Sequence, residues 1–252
     1  MIGVVVLSYN HPNITANCLK SVLEQVNAKS IALFHNGSET KWVDQLTKEF
    51  PSIAHWSTDE NKGYASGVNQ ALAHAFKKWS WVFLLTNDTK LIRWSGDIPI
   101  QPGIYSPKVY LRRTDRIDYQ LGYFNSVTGK IWHAKDAHLH AGYPIKNGVF
   151  TYAPGSAFLI STEVFNSVGS FDEGLHTYWE DVDFGARACL NGFAPLTWPQ
   201  IELIHLGGKT TRKDPFYTNF LFKRNRRRVS WRYCPTLYKP ALAANLALDF
   251  LR

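Results

Sequence analysis

Cysteine is scarce in this chain of 252 residues, and the three present, Cys18, Cys189 and Cys234, are odd in number and far apart. No pair has zinc-finger spacing, so a disulfide framework is not expected; buried thiols in a reducing compartment are. Long apolar runs are missing too: no stretch of about 18 apolar residues is there to cross a membrane. The opening MIGVVVLSYN has no basic leader and breaks at polar Ser8, so it reads as a first strand and not as a signal peptide. Charged residues make up only 19% of the chain against 45% hydrophobic, which excludes global disorder. There is no internal repeat and no low-complexity segment. Acids are nearly missing from one region. Lys209 to Lys239 holds ten Lys or Arg and the single acid Asp214, so the net charge of +8 is local and the main body is close to neutral. Such a patch suits phosphates of a nucleotide, a nucleic acid or an anionic lipid.

What is present first is alternation. IGVVVLSY, SIALFHNGS, SIAHWS and SWVFLLTND read as buried strands, separated by helical patterns in NITANCLKSVLEQV, 41–50 and GYASGVNQALAHAFKKW. Strands alternating with helices predict an α/β fold with a parallel sheet, and ligands bind beyond the carboxyl ends of such strands. Those ends are SYN, HNGS and TNDT, all polar. From about Leu91 to Pro154 the rhythm gives way to aromatics, Gly and His, as expected for short antiparallel strands and loops. GSAFLIS then reads as a strand, TEVFNSVG as a helix and IELIHLGG as a strand. Asp214 to Arg252 reads as two helices broken by YCPTLYKP.

The segment YWEDVDFGARACLNGF crowds Glu180, Asp181 and Asp183 together. A helix over Trp179 to Leu190 places them in its first turn, where the dipole favours acids, with Val182, Ala186, Cys189 and Leu190 on an inward face. Asp183 can pair with Arg187 one turn on. Helix preference does not account for the aromatics before the acids, and large aromatics such as Tyr178 and Trp179 commonly wall a site for a sugar-like ligand.

Taken together, VVVLSYN, FHNGS, ENKGYASGVNQAL, FLLTNDT, GSAFLISTEVFNSVGSFDEGLHTYWEDVDFGARACLNGF and IHLGG resemble, in this order, the nucleotide-sugar glycosyltransferases of family 2, with the rhamnosyltransferase-like branch closest. The resemblance covers residues 2 to 210. It implies a GT-A (Rossmann-like nucleotide-binding) α/β fold with a central, mostly parallel sheet. It implies one catalytic domain over 1–211, followed by a basic, aromatic helical extension over 212–252. The implied reaction is inverting sugar transfer from a nucleotide diphosphate sugar to a glycan hydroxyl, in bacterial surface polysaccharide synthesis. Carried over position by position, Asp181 is the base and Glu180 positions the acceptor or raises the base's pKa by proximity, with Trp179 and Tyr178 on the acceptor side. Ser8, Tyr9, Asn10, His35, Asn36, Asn61, Gly63, Asn69, Asn87 and Asp88 contact the nucleotide sugar. Asp88 and His205 hold a divalent cation, Mn2+ or Mg2+. Where the family usually places an aspartate against the nucleotide base, this chain has His35. A neutral imidazole can accept from a uracil or thymine N–H, so a pyrimidine donor is compatible. A cytoplasmic enzyme acting on a glycan or lipid-linked glycan is expected, and Phe216 and Phe220 beside Lys223 to Arg228 offer a surface for anionic lipid at the inner face of the membrane.

Three other patterns carry less. LGGKTT lacks the upstream glycine of a phosphate loop, position 203 being Leu, although Lys209 could still touch phosphate. His133, His138 and His140 could bind zinc but have no cysteine nearby. RNRRR lies in no recognisable nucleic-acid fold, so nucleic acid is not an expected partner. Two rival readings are a nucleic-acid or anionic-membrane binding protein on a degenerate enzyme scaffold and a nucleotidyltransferase. The first has to explain why Asp88, Glu180 and Asp181 are intact, and the second gives no reason for the aromatic-flanked Glu-Asp helix.

Overall fold

The structure, a computed structural model, describes residues 1–111, 116–134, 148–207 and 214–248. Its first half runs β1 (Ile2–Ser8), α1 (Pro12–Leu23), β2 (Ile31–Asn36), α2 (Thr40–Glu49), β3 (Ala54–Thr58), α3 (Tyr64–Ala75) and β4 (Trp81–Thr86). All seven residues of β1 are buried because both faces of the sheet are covered. Val4 and Val6 pack into one apolar cluster with Leu19 and Val22 of α1 and Leu46 of α2. Val5 and Leu7, alternating with them, face a second cluster with Val68 and Leu72 of α3.

The second half holds β5 (Thr89–Arg93), β6 (Ile104–Leu111), β7 (Ile117–Tyr119), β8 (Leu121–Asn125), β9 (Lys130–Ala134), β10 (Val149–Tyr152), β11 (Ala157–Ser161), α4 (Thr162–Val168), α5 (Glu180–Leu190), β12 (Leu196–His205), α6 (Pro215–Tyr233) and α7 (Lys239–Leu248). The parallel pairing expected from the alternation covers β3, β2, β1 and β4. Beyond β4 the main sheet is mixed. Its order is β3-β2-β1-β4-β11-β6-β12-β5, with β7 pairing β6, and β11 is antiparallel to both β4 and β6. The alternation rule stops there because those strands are not joined by helical crossovers of the first kind.

One connection fixes the shape of this sheet. β4 and β5 are separated in the chain by Asn87 and Asp88 alone, yet β11, β6 and β12 lie between them along the sheet. Consecutive Cα atoms are about 3.8 Å apart, so Thr86 and Thr89 lie within about 11 Å of each other. The sheet must therefore curl until its β5 edge returns towards β4, and Asp88 sits at the seam. Pairing of β12 with β5 sets His205 opposite Thr89, next to that seam, and Leu206 N donates to Asp88 O at 2.8 Å.

The middle region forms the expected short antiparallel strands, β10-β8-β9. Phe124, Phe150 and Tyr152 of this small sheet pack on Val182, Ala186 and Cys189 of α5. A Cβ on Gly185 would lie 2.6 Å from Thr151 O and 2.5 Å from Tyr152 Cβ, so only glycine allows α5 to approach β10 this closely. The carboxyl-terminal segment forms two helices, as its prolines predict. Asp214 caps α6 by accepting from Tyr217 N at 3.0 Å. Cys18, Cys189 and Cys234 are buried free thiols. Among the described residues no helix is long and apolar enough to cross a membrane.

Candidate active site

A cleft of about 550 Å³ opens at the carboxyl ends of β1, β2 and β4. One wall is Ser8 and Tyr9 after β1, Asn36 at the end of β2, Asn61 and Gly63 before α3, and Asn87 and Asp88 at the seam. Tyr178, Glu180 and Asp181 form the other wall, and His205 of β12 lines the cleft beside Asp88. Eleven of the residues singled out in the sequence thus meet in one cleft, although they come from positions 8 to 205.

Polar bonds hold the first wall. Asn87 Nδ2 donates to Thr15 Oγ1 at 2.8 Å, and Ser8 Oγ lies 2.9 Å from the same hydroxyl. Asn36 Nδ2 donates to Gly63 O at 3.1 Å. Gly63 has φ +97°, and a Cβ there would meet His176 O at 2.6 Å, so glycine is required where the two walls touch.

At the seam, Asp88 Oδ2 lies 3.3 Å from His205 Nε2, and Thr86 Oγ1 donates to Asp88 Oδ1 at 2.7 Å. Burial pushes the Asp88 carboxyl up, but the hydrogen bonds from His205 and Thr86 outweigh it and hold the group below the usual carboxylate value. A carboxylate oxygen and an imidazole nitrogen at this separation can be neighbouring ligands of one ion with bonds of about 2.1 Å. Among the described residues no group of three or more His, Cys, Asp or Glu could hold a metal. Asp88 and His205 are two donors of types that suit a divalent cation, and such an ion would need its other ligands from outside the protein.

The acids of α5 divide by environment. Asp181 accepts from Gly155 N at 2.9 Å through one oxygen and from Val182 N at 2.8 Å through the other. Burial raises its pKa, and the backbone N–H groups partly oppose the rise. Glu180 is buried, its Oε2 has no hydrogen-bond partner, and burial followed by the charge of Asp181 pushes it well above the ordinary carboxyl value. Two carboxylates so placed cannot both ionise easily, so the proton the pair retains belongs on Glu180. Asp183 points away from the cleft. It pairs with Arg187, as the i,i+4 spacing predicts, and also with Arg232 and Tyr233 of α6.

Four expected contacts lie elsewhere. Trp179 does not wall the cleft: its indole is in the core, edge-on to Phe124 and Phe222 at 5.7 Å each, and only Tyr178 of the pair faces the opening. Asn69 is a buried brace, exchanging hydrogen bonds with the backbone of Phe171 and donating to Glu173. Asn10 ties the loop after β1 to Ser38 and Glu39. His35 is buried behind the cleft, stacked on His55 with Nε2 3.2 Å from His55 Nδ1. Burial, and then the neighbouring His55, lower the His35 pKa to about 4, so the imidazole is neutral as expected, but it does not line the cleft.

Residues missed by sequence reading are Tyr64, Ser156, His176 and Thr177, together with Tyr217, Thr218 and Leu221 of α6. The α6 residues come from a segment read as an extension. Their only sequence signal was helical spacing, which cannot say against what a helix packs. The arginines of RNRRR are also largely used by the fold. Arg224 donates to Leu175 O, Arg226 to Gly129 O and Arg228 to Gly174 O, and Arg232, beyond that run, pairs with Asp172 and Asp183. Lys209, Arg212, His138 and His140 lie outside the described residues.

The architecture is the GT-A fold. Structural similarity to a mannosyltransferase from Pyrobaculum calidifontis, solved with GDP-Man and Mn2+, spans 98% of this chain and 69% of that one, with a TM-score of 0.59 at 17% identity. S. aureus TarS, solved with UDP, matches with a TM-score of 0.52 at 13% identity over 89% of this chain and 64% of that one. Residues 3–91 match the family model "Glycosyl transferase family 2". The N-acetylglucosaminyl-diphospho-decaprenol L-rhamnosyltransferase of Mycobacterium tuberculosis is 25% identical over 212 residues, which is 74% of this chain and 69% of that protein. The chain is thus similar to family 2 glycosyltransferases, over residues 3–91 in the family model and over 212 residues to a rhamnosyltransferase.

Proposed function

We propose that this chain is an inverting glycosyltransferase that moves a hexosyl or rhamnosyl group from a nucleotide diphosphate sugar to a hydroxyl of a lipid-linked glycan in surface polysaccharide synthesis. The observation that carries the reading is Asp181, whose two oxygens are fixed by backbone N–H groups on the wall facing the Asp88–His205 seam. The acceptor hydroxyl oxygen bonds to the anomeric carbon as the bond from that carbon to the diphosphate oxygen breaks. The electron pair leaves with the diphosphate, and the hydroxyl proton passes to the Asp181 carboxylate. Raised by burial, that carboxylate is a stronger base than an exposed one. Ser8, Asn36, Asn61 and Asn87 supply donors and acceptors for the nucleotide and diphosphate. Asp88 and His205 would hold a divalent cation, which when bound would supply countercharge for the departing diphosphate.

Peripheral attachment to an anionic membrane is part of the proposal, through a narrower surface than the sequence suggested. Phe216, Phe220, Lys223, Arg227 and Trp231 follow helical spacing along α6, with Phe216 89% and Phe220 58% exposed. Tyr217 and Leu221, on the same turns, line the cleft, so lipid contact would bring a lipid-linked acceptor to its mouth.

The test is thermal-shift screening with UDP, TDP, GDP and CDP, with and without manganese. Transfer of the matching sugar to an N-acetylglucosaminyl-diphospho-prenol is then followed, and the product anomer is assigned by NMR. Inverted product supports the reading; retained configuration overturns it.

A further inference from the structure

The approach to Glu180 and Asp181 is an unusual piece of backbone. His176, Tyr178 and Trp179 all have positive φ, at 64°, 69° and 73°, conformations that bulky L-residues seldom adopt. No glycine relieves them. His176 and Tyr178 line the cleft, and Trp179 is the residue immediately before α5. Such a loop keeps its form only if its surroundings hold it.

Asn225 holds it from α6. The residue is completely buried. Its Oδ1 accepts from Arg224 Nε at 2.9 Å, which fixes the amide orientation and turns the two N–H donors of Nδ2 towards the loop. Nδ2 lies 2.7 Å from Leu175 O, 2.9 Å from Thr177 O and 2.7 Å from Tyr178 O. Arg224 Nη2 adds bonds to Gly174 O and Leu175 O at 3.2 Å each. From the other side, Ala65 N donates to His176 O and Tyr64 N to Thr177 Oγ1. A buried amide must satisfy its polar atoms, but it need not spend all of its donors on one short loop.

We propose that Asn225 is a positioning residue for sugar transfer. By gripping the carbonyls of residues 175, 177 and 178 it maintains the left-handed turns, sets His176 and Tyr178 as the acceptor wall, and fixes where α5 begins. Asp181 is thereby held within reach of the acceptor hydroxyl. This inference rests on the reading of Asp181 as the base. The amide bonds of Asn225 to the loop all fall on the acceptor wall, whereas the nucleotide wall is built by the ends of β1, β2 and β4. Loss of the grip should therefore separate the two functions of the cleft.

The experiment uses the full chain with Asn225→Leu, which keeps the side-chain size, and Arg224→Gln, which leaves the Asn225 amide in place. Transfer to N-acetylglucosaminyl-diphospho-prenol is measured as kcat, and UDP and TDP affinities by calorimetry. Hydrogen exchange is followed over residues 174–184. A displacement of about 1 Å at a reacting group costs about 10²-fold, so Asn225→Leu should lower kcat by about that factor. Nucleotide affinity should stay within about twofold, the signature of an interaction made in the transition state and not in donor binding. Exchange should rise over 174–184 and stay unchanged over β1 and β4. Arg224→Gln should show a smaller loss of the same kind. A purely structural role would lower the melting temperature and leave the kcat of folded protein intact, and that result overturns the proposal. Equal loss of kcat and nucleotide affinity also overturns it. If Asn225→Leu does not fold, unchanged kcat and exchange in Arg224→Gln overturns it, and a confined rise in exchange with lowered kcat supports it. An inactive wild-type chain defeats the transferase reading, and exchange over 174–184 then decides alone whether Asn225 holds the loop.

Discussion

Arg232 of α6 reaches Asp183 of α5 across 49 positions of sequence, with Nη1 2.5 Å from Oδ1. The same guanidinium reaches Asp172 at 2.8 Å. Asp183 has no exposed surface and also receives Arg187 Nε at 3.0 Å and the Tyr233 hydroxyl at 2.8 Å. A carboxylate withdrawn from water needs donors of this number and quality. Asp183→Asn should lower unfolding free energy by about 2 kcal/mol in urea titrations, since charged hydrogen bonds become neutral ones and the Arg187 and Arg232 guanidiniums each lose a carboxylate, although Arg232 keeps Asp172. Arg232→Gln should cost less, because Arg232 is 40% exposed and Asp183 keeps Arg187 and Tyr233. Equal stability of Asp183→Asn and wild type would show that the cluster contributes nothing net.

Asp181→Asn keeps the shape of the side chain and removes its basicity. Transfer should fall by about 10²–10⁴-fold, while UDP or TDP binding stays near wild type. Retained turnover would move the base elsewhere, and Glu180 would be the first residue to test in its place.

Glu180 gives a pH dependence whose sign can be worked out. Burial, followed by the charge of Asp181, raises its folded pKa well above the ordinary carboxyl value. The folded state therefore binds this proton more tightly than the unfolded chain does. The associated stability is complete below the unfolded pKa and is lost as pH rises through the folded one. Glu180→Gln imitates the protonated form. Its melting temperature relative to wild type should increase with pH, which a series of thermal denaturations would show. A difference that does not change with pH would mean that Glu180 is already ionised in the fold.

Chelation tests the seam. Exposure to EDTA should abolish transfer, and manganese or magnesium should restore it. Asp88→Ala should weaken nucleoside diphosphate binding in the presence of metal far more than in its absence. Full activity in chelator would show that this cleft neutralises the diphosphate without a cation.

The outer face of α6 makes a membrane prediction sharper than the basic run alone could. Phe216→Ser with Phe220→Ser should reduce co-sedimentation with phosphatidylserine vesicles at low salt. Wild-type binding should weaken as salt passes physiological strength, where charges are screened beyond about 8 Å. Arg226 and Arg228 are unsuitable probes, because they hold Gly129 and Gly174. Absence of wild-type binding at low salt would remove the membrane role.

Much of the cleft's first wall was legible because strand ends in an alternating α/β chain announce themselves: SYN, HNGS and TNDT follow runs of buried residues, and Ser8, Asn36 and Asp88 all reach the cleft. Asp183 and Arg187 were legible from helical spacing. Trp179 was not, because two adjacent aromatics give no sign of which one a left-handed backbone turns inward. His35 was misplaced because a motif position states where a residue falls along a strand, while its pairing with His55 depends on β3 lying alongside. The contribution of α6 was invisible for a similar reason. Its buried Asn225 and paired arginines look the same in sequence as a solvated basic helix.

The grip of α6 on the 175–178 loop also bears on how the chain is made. Domains acquire structure as they emerge, amino terminus first. The strands that shape the nucleotide wall, β1, β2 and β4, leave the ribosome early, whereas Asn225 and Arg232 emerge last among the groups that fix the other wall. A nascent chain halted before residue 214 would thus meet a sugar nucleotide with its acceptor wall still unset. In such a sequence of events, competence for transfer would be a property acquired at the end of synthesis, and partial products of translation would hold the donor without spending it on water.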